Sequence, residues 1–448
     1  MKIKKIRLRI VGVCALLLGA ALLTFPGGSS GAQSAPTFTP FVATFGPAVN
    51  VGGIGQASAT PMPVLPTSEP SPVPTATPLP MLRADLMGIQ IHPILEISAW
   101  WAMVDRSQFM GFKWIKVQVN WKEMEPEPGV FTQEFQVVGD NLFYSGQRGF
   151  KTLISVVNAP DWARAPEARG QENGPPVDPQ AYVNFLNAIF DRWGTAYIQA
   201  VEIWNEPNLV REWTGAPKTG AAYKQYFDAA YKAIRSRSAD IVVVTAGPAP
   251  AGDTADGSVN DRRWLRELYA AGLPITDPNL AIGIHPYGWA NPPDARCCAS
   301  QPKGWDDQSF FFFLDNIYEY RQIMLENGHG AGKLWATEFG WATFQGLRYR
   351  DHINGPAAIP PTDPGLGWMN LITEQQQAEY VIRAFELAQN GDLASFMGPM
   401  FLWNLNFASL TGYIPENAPS RSEAGFSILN SDWGTRPLYD YLQNSPKQ

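Results

Sequence analysis

The chain has 448 residues, 45% of them hydrophobic and 12% aromatic, which is enough to bury a large core and too much for a disordered protein or a small disulfide-held scaffold. Lys and Arg total 34 against 41 Asp and Glu, and a formal net charge of −7 argues against a nucleic-acid binder that works by neutralising phosphates. With four His, three Cys, no Cys-x-x-Cys and no His pair at helical spacing, neither a metal nor another cofactor is expected.

Lys2, Lys4, Lys5, Arg7 and Arg9 open the chain without an acid, and an uncharged, mostly apolar run covers residues 10–25. Cations followed by a hydrophobic stretch are the order of a secretory signal, while a run a little short of the roughly 20 residues of a spanning helix can also serve as a tilted anchor. Residues 1–25 are therefore read as a signal peptide or a membrane anchor, and the protein is expected outside the cytoplasm, secreted or tethered to the cell surface. From 26 to 82 Pro, Ser, Thr, Gly and Ala dominate, and Glu69 is the one charged residue between Pro26 and Pro80. Such a segment cannot bury enough surface to fold and reads as an extended stalk or a tolerated linker. A single domain is expected from 83 to 448.

Within it, apolar runs alternate with amphipathic segments. Strands are predicted at Leu86–His92, Trp114–Asn120, Thr152–Asn158, Ala200–Trp204, Ile241–Ala246, Ala281–His285, Lys333–Thr337 and Gly398–Trp403. Helices are predicted at Glu134–Gly149, Ala181–Trp193, Ala221–Ser238, Arg262–Ala271, Ser309–Asn327 and Thr373–Gln389. In Ala181–Trp193, for example, Tyr182, Phe185, Leu186, Ile189 and Trp193 keep the spacing of one buried helical face. Strand–helix alternation repeated eight times predicts an α/β fold closed into a (β/α)8 TIM barrel, with an open doubly wound sheet as the alternative. The second strand favours closure: Lys116, Gln118 and Asn120 alternate with Ile115, Val117 and Val119, and polar side chains in register can point into the upper interior of a barrel.

Barrel enzymes carry their working groups where the strands end. Those ends hold His92, Asn120-Trp121, Asn158, Asn205-Glu206, His285 with Tyr287, Glu338 and Trp403. Glu206 and Glu338 stand out. Each is a lone acid among large aromatic neighbours, a costly place for charge unless it is paired or used.

Trp204-Asn205-Glu206-Pro207-Asn208 and Thr337-Glu338-Phe339-Gly340-Trp341 resemble the acid/base and nucleophile motifs of clan A glycoside hydrolases, families 39 and 5 above all. The segment from Trp121 to Phe131, the His285-Pro286-Tyr287 motif and Trp403 are similar to further stretches of that clan, so the resemblance runs from about residue 83 to 445. It implies a retaining β-glycosidase whose carbohydrate substrate is β-linked, with Glu338 as ionised nucleophile and Glu206 as acid/base. An apolar setting beside Trp204 and Pro207 is expected to raise the Glu206 carboxyl and keep its proton. Retaining hydrolysis needs two carboxyl groups about 5–5.5 Å apart, and strands four and seven face each other across a barrel mouth. Tyr287 matches the tyrosine that hydrogen-bonds the nucleophile, Asn205 is placed for the sugar 2-hydroxyl, and Trp403 is placed as a sugar platform. Asn120, Trp121, Asn158, His92 and His285 are further substrate-contact candidates, with Trp289 a weaker one. Where many clan members carry an Arg beside the nucleophile, the inward series offers Lys116. Glu202 competes weakly as the acid, and Glu123, Glu125 and Glu127 read as solvated loop charges. Cys297 and Cys298 are neighbours that could bridge in an oxidising compartment and stiffen a substrate loop. A monomer is expected. The alternatives are a non-catalytic carbohydrate-binding protein on the same barrel and a transglycosylase.

Overall fold

A computed structural model describes residues 78–448 apart from Glu172. The expected leader and most of the expected stalk fall outside the described residues. Leu82 is fully buried and bridges Lys447 next to the C-terminus.

Eight parallel strands close on themselves in sequence order. They are β1 (Met87–Gln90), β2 (Trp114–Asn120), β3 (Lys151–Val157), β4 (Ala200–Ile203), β5 (Val242–Thr245), β6 (Leu280–Ile284), β7 (Lys333–Phe339) and β8 (Met397–Leu402). Closure comes from β1 on β8, with Met87, Gly88 and Ile89 opposite Met400, Phe401 and Leu402. Glycine is needed at 88, because a Cβ there would run into the Phe401 ring.

Helices cover the outside: α1 (Ile97–Phe109), α2 (Trp121–Met124), α3 (Gln133–Gln147), α4 (Pro179–Trp193), α5 (Gly220–Arg237), α6 (Asp261–Ala270), α7 (Phe313–Glu326), α8 (Glu374–Gln389) and α9 (Pro437–Asn444). Their starts are set by local chemistry. Asp178 caps α4 ahead of Pro179, and Thr373 and Gln376 form a reciprocal capping box on α8. The helix α1 was not expected from the sequence. The single helix expected over Ser309–Asn327 is divided, with a turn of 3-10 helix at Ser309–Phe311 and an extended Phe312 before α7.

The core has two parts. Trp114, Leu153, Ala200, Val244, Ala281, Trp335 and Phe401 plug the lower barrel, while a larger apolar cluster fills the space between strands and helices. Residues two apart on a strand share a face, so the plug residues fix what stands above them. Lys116, Gln118 and Asn120 rise above Trp114; Glu202 rises above Ala200, His285 above Ala281 and Trp403 above Phe401.

Strand β7 departs from this rule in a way that shapes the site. Alternation from the inward Trp335 would send Glu338 out toward the helices. Register with β8 slips between Leu334 and Ala336 and again between Ala336 and Phe339. The irregularity turns Glu338 inward and leaves Phe339 against Phe313 and Phe385, with ring centroids 6.3 and 4.9 Å away.

Candidate active site

The C-terminal mouth of the barrel opens into a cleft of about 920 Å³. Glu206 and Glu338 both line it, 7% and 4% exposed. With the buried His285 they form one cluster in which one oxygen of each acid and one ring nitrogen lie within 4.8 Å of one another.

Glu338 sits in a hydrogen-bonded cradle. Lys116 Nζ donates to Oε1 at 3.1 Å and Tyr287 OH donates to Oε2 at 3.0 Å. Gln90, in the amide orientation that satisfies both neighbours, donates to Oε1 at 3.1 Å and accepts from Trp403 Nε1 at 3.1 Å. Lys116 has no exposed surface and also meets Glu202 Oε2 at 3.0 Å. Burial alone would lower the lysine, but the charges of Glu202 and Glu338 outweigh it and raise it above its ordinary value. Lys116 therefore stays cationic under Glu338, as a single point of charge where a guanidinium would make a two-pronged contact.

Glu206 is held differently. Its backbone has φ +44° and that of Trp204 has φ +73°, left-handed values that ordinary residues avoid and that neighbours must enforce. Trp204 Nε1 donates to Glu212 O at 3.0 Å, Glu206 N donates to Gly247 O at 3.1 Å, and Asn208 Nδ2 donates to Ala249 O and Val259 O. His285 Nδ1 lies 3.1 Å from Glu206 Oε1, and Arg211 Nη2 lies 3.0 Å from Oε2. Burial pushes this carboxyl up, but the His285 hydrogen bond and the Arg211 charge prevail and hold it well below the usual carboxylate range. This corrects the expectation of a raised, protonated Glu206. The apolar neighbours are present, and the His285 hydrogen bond and the Arg211 charge outweigh them.

Of the other candidates, Asn120, Asn158, Asn205, Tyr287, Trp289, Trp403 and His92 all line the cleft. Asn158 Nδ2 donates to Asn120 Oδ1 at 2.8 Å, so these two act as one polar unit. Asn205 Oδ1 is buried without a hydrogen-bond partner. Two candidates are corrected. Trp121 is fully buried with its indole on Glu125 Oε2 and its ring stacked on Phe185, a core role that removes it from the cleft. His285 lies beneath the acids with no exposed surface, so it touches them in place of substrate. Glu202, the rival acid, is buried on Lys116 and on Gly247 N at 3.1 Å. Glu125 is no solvated charge, since it accepts from Trp121 and from Gly129 N.

The sequence reading did not select Gln90, Arg211, Glu212, Trp368, Arg421, Glu423 or Phe426, all but Gln90 lining the cleft. Gln90 could have been found, because it precedes the flagged His92 by two residues and shares its inward face. The structure joins Cys297 and Cys298 as a disulfide. No helix among the described residues is long and apolar enough to cross a membrane.

The family model described as cellulase, glycosyl hydrolase family 5, matches residues 80–374. The chain belongs to glycoside hydrolase family 5. No curated protein matches the chain. A family 39 glycoside hydrolase from the gut symbiont Bacteroides cellulosilyticus WH2 superposes with a TM-score of 0.56 at 19% identity, over 81% of this chain and 64% of that one. The chain thus spans somewhat less than two thirds of that protein. The family 53 catalytic domain of Ignisphaera aggregans gives 0.52 at 17% identity, covering 83% and 99% of the two chains. The β-glycosidase BGL167 gives 0.51 at 14% identity, covering 81% and 96%. These likenesses establish the barrel fold of the family 5 member.

Proposed function

We propose that the enzyme is a retaining β-glycosidase acting on a β-linked poly- or oligosaccharide, with Glu338 as nucleophile and Glu206 as acid/base. The observation that carries this reading is the pair of buried carboxylates on β7 and beyond β4, with oxygens within 4.8 Å of each other at the mouth of a barrel. That closeness supports the roughly 5–5.5 Å carboxyl spacing of retaining enzymes over the roughly 6.5–9.5 Å of inverting ones.

In the first step a Glu338 oxygen attacks the anomeric carbon, the bond from that carbon to the leaving oxygen breaks, and Glu206 gives that oxygen its proton. In the second, Glu206 takes a proton from water as the water oxygen attacks the same carbon and the ester bond to Glu338 breaks. Lys116, Tyr287 and Gln90 hold the Glu338 side chain aimed, so little reorganisation is needed at the moment of attack. Asn205 is the group for the sugar 2-hydroxyl. Trp403, tied at its indole nitrogen to Gln90, offers its ring face to the sugar, and Trp289 and Trp368 extend the aromatic wall. The volume is near the top of the roughly 300–1,000 Å³ usual for ligand sites and suits an oligosaccharide stretch. The cation-then-apolar leader supports an extracytoplasmic location, where a polymer too large to enter the cell would be met.

The test is reducing-end release by the full chain and by Glu338→Ala from β-glucans, xylans, mannans and bacterial exopolysaccharides. Release by the wild type alone is expected, and product sizes will separate endo from exo cutting. Silence from both proteins with binding kept on one glycan would overturn the reading in favour of a carbohydrate-binding protein.

A further inference from the structure

Glu206 has both carboxylate oxygens engaged, Oε1 with His285 and Oε2 with Arg211. A proton donor must present one oxygen, protonated, to the leaving group, so one partner has to let go when substrate binds. His285 is enclosed beneath the acids, whereas Arg211 stands in the cleft wall with 64% of its side chain exposed. Arg211 is the partner that can leave.

It also has a second place to dock. Glu212 lines the same cleft; its Oε2 is held by Asn173 Nδ2 at 3.1 Å, and its Oε1 lies 3.6 Å from Arg211 Nε. The backbone between them is fixed, with Trp213 fully buried, Trp204 bonded to Glu212 O and Thr214 N bonded to Asn173 O at 2.9 Å. Passing the guanidinium from Glu206 to Glu212 therefore needs side-chain torsions only.

We propose that Arg211 is a substrate-operated latch on the proton donor: it pins Glu206 in the free enzyme and moves to Glu212 when a sugar occupies the leaving-group side of the cleft. The proposal rests on Glu206 being the acid/base. Proton balance fits it. Burial and the neighbouring Glu206 push Glu212 up to about 7, so near neutrality Glu212 holds a proton part of the time. When the guanidinium arrives, Glu212 gives that proton to solvent, and Glu206, released from its cation, takes one up. The other charges around Glu206 are His285, Glu338 and Lys116, with Tyr287 on Glu338; Glu423 also attracts Arg211.

Two measurements test the latch. The Glu206 carboxyl can be titrated by infrared difference, each protein minus its Glu206→Gln counterpart. It is expected to titrate about one to three pH units higher in Arg211→Met than in the wild type, and to stay near the wild-type value in Arg211→Lys. No rise in Arg211→Met overturns the pairing. In the second, Glu212→Gln deprives Arg211 of its alternative partner. Its kcat on substrates with poor leaving groups is expected to fall about fivefold, the weight of an exposed ion pair, with little change on activated ones. The double variant Arg211→Met/Glu212→Gln is expected to return to the kcat of Arg211→Met alone. Losses that multiply in the double variant overturn the transfer. If the infrared titration moves as expected while no form of the protein cleaves a glycan, the pairing stands and the glycosidase assignment fails.

Discussion

Lys116 lies between Glu202 and Glu338 with no exposed surface, so one buried cation is shared by two carboxylates. Removing one member of a buried ion pair typically costs about 3–5 kcal/mol, because the stranded charge stays buried. Lys116→Met is expected to lose stability of that order in denaturant titration, and Lys116→Met/Glu202→Gln to recover part of it. An unchanged midpoint for Lys116→Met would contradict this shared pairing. For the chemistry, Glu206→Ala is expected to slow substrates with poor leaving groups far more than activated ones, which need little protonation. Equal losses would remove the acid role. His285 gives a pH test. Burial pulls its ring down from the ordinary 6.5, but Glu338 and Glu206 outweigh burial and raise it. A raised group contributes fully below its unfolded value and loses that contribution as the pH climbs through its folded one. The Tm deficit of His285→Asn should thus be largest below pH 6.5 and shrink as pH rises; a deficit that grows with pH would contradict the assignment. Glu206, Glu338 and Tyr287 were legible because strand ends and sequence motifs coincide there. Arg211 and Glu212 were not. They sit in a loop, where no periodicity says which way a side chain turns, and the same blindness hid the cations that reverse the expected behaviour of Glu206.

Among the elements, the strands were readable to within one or two residues, since buried parallel strands are continuous apolar runs bounded by polar ends. The helix α1 escaped because its exposed face is also apolar: Trp101 and Phe109 stand opposite the buried Trp100, Met103 and Val104, which blurs the stripe. The break before α7 was hidden in a run of four Phe. Phe311 packs against Trp289 at 4.7 Å between ring centroids, in the 3-10 turn that precedes the extended Phe312. The slip in β7 was not legible either, because period-two alternation has no term for an irregular register, yet that slip turns Glu338 inward. The thinnest seam in the barrel is β5 on β6, where only Val243 with Leu280 and Val244 with Ala281 are in register. Above it Gly283 lies so close to β5 that a Cβ would overlap Thr245 O. Gly283→Ala is expected to cost about 1–3 kcal/mol as overpacking that spreads the two strands. Chemical denaturation checks this, and a neutral result would mean that the seam relaxes freely.

At the scale of the whole molecule, the barrel plug, the Lys116 layer and the cleft stack along one axis, with apolar side chains from β2 to β8 at the base and cleft-lining residues beyond most strand ends. The count of eight alternations made closure legible, and the two glutamates made the site legible. The glycan it takes was not legible, because the cleft walls are loops and 3-10 turns such as Pro364–Asn370 and Ser422–Phe426, whose side chains converge only in three dimensions. A two-step displacement through Glu338 would leave the released sugar in the configuration it had in the substrate. The most direct measurement is proton NMR of the anomeric configuration of the product first released from whichever β-linked glycan the enzyme cleaves. The β-anomer is expected to appear first and the α-anomer to grow in only by mutarotation; an α-anomer released first would contradict a two-step displacement.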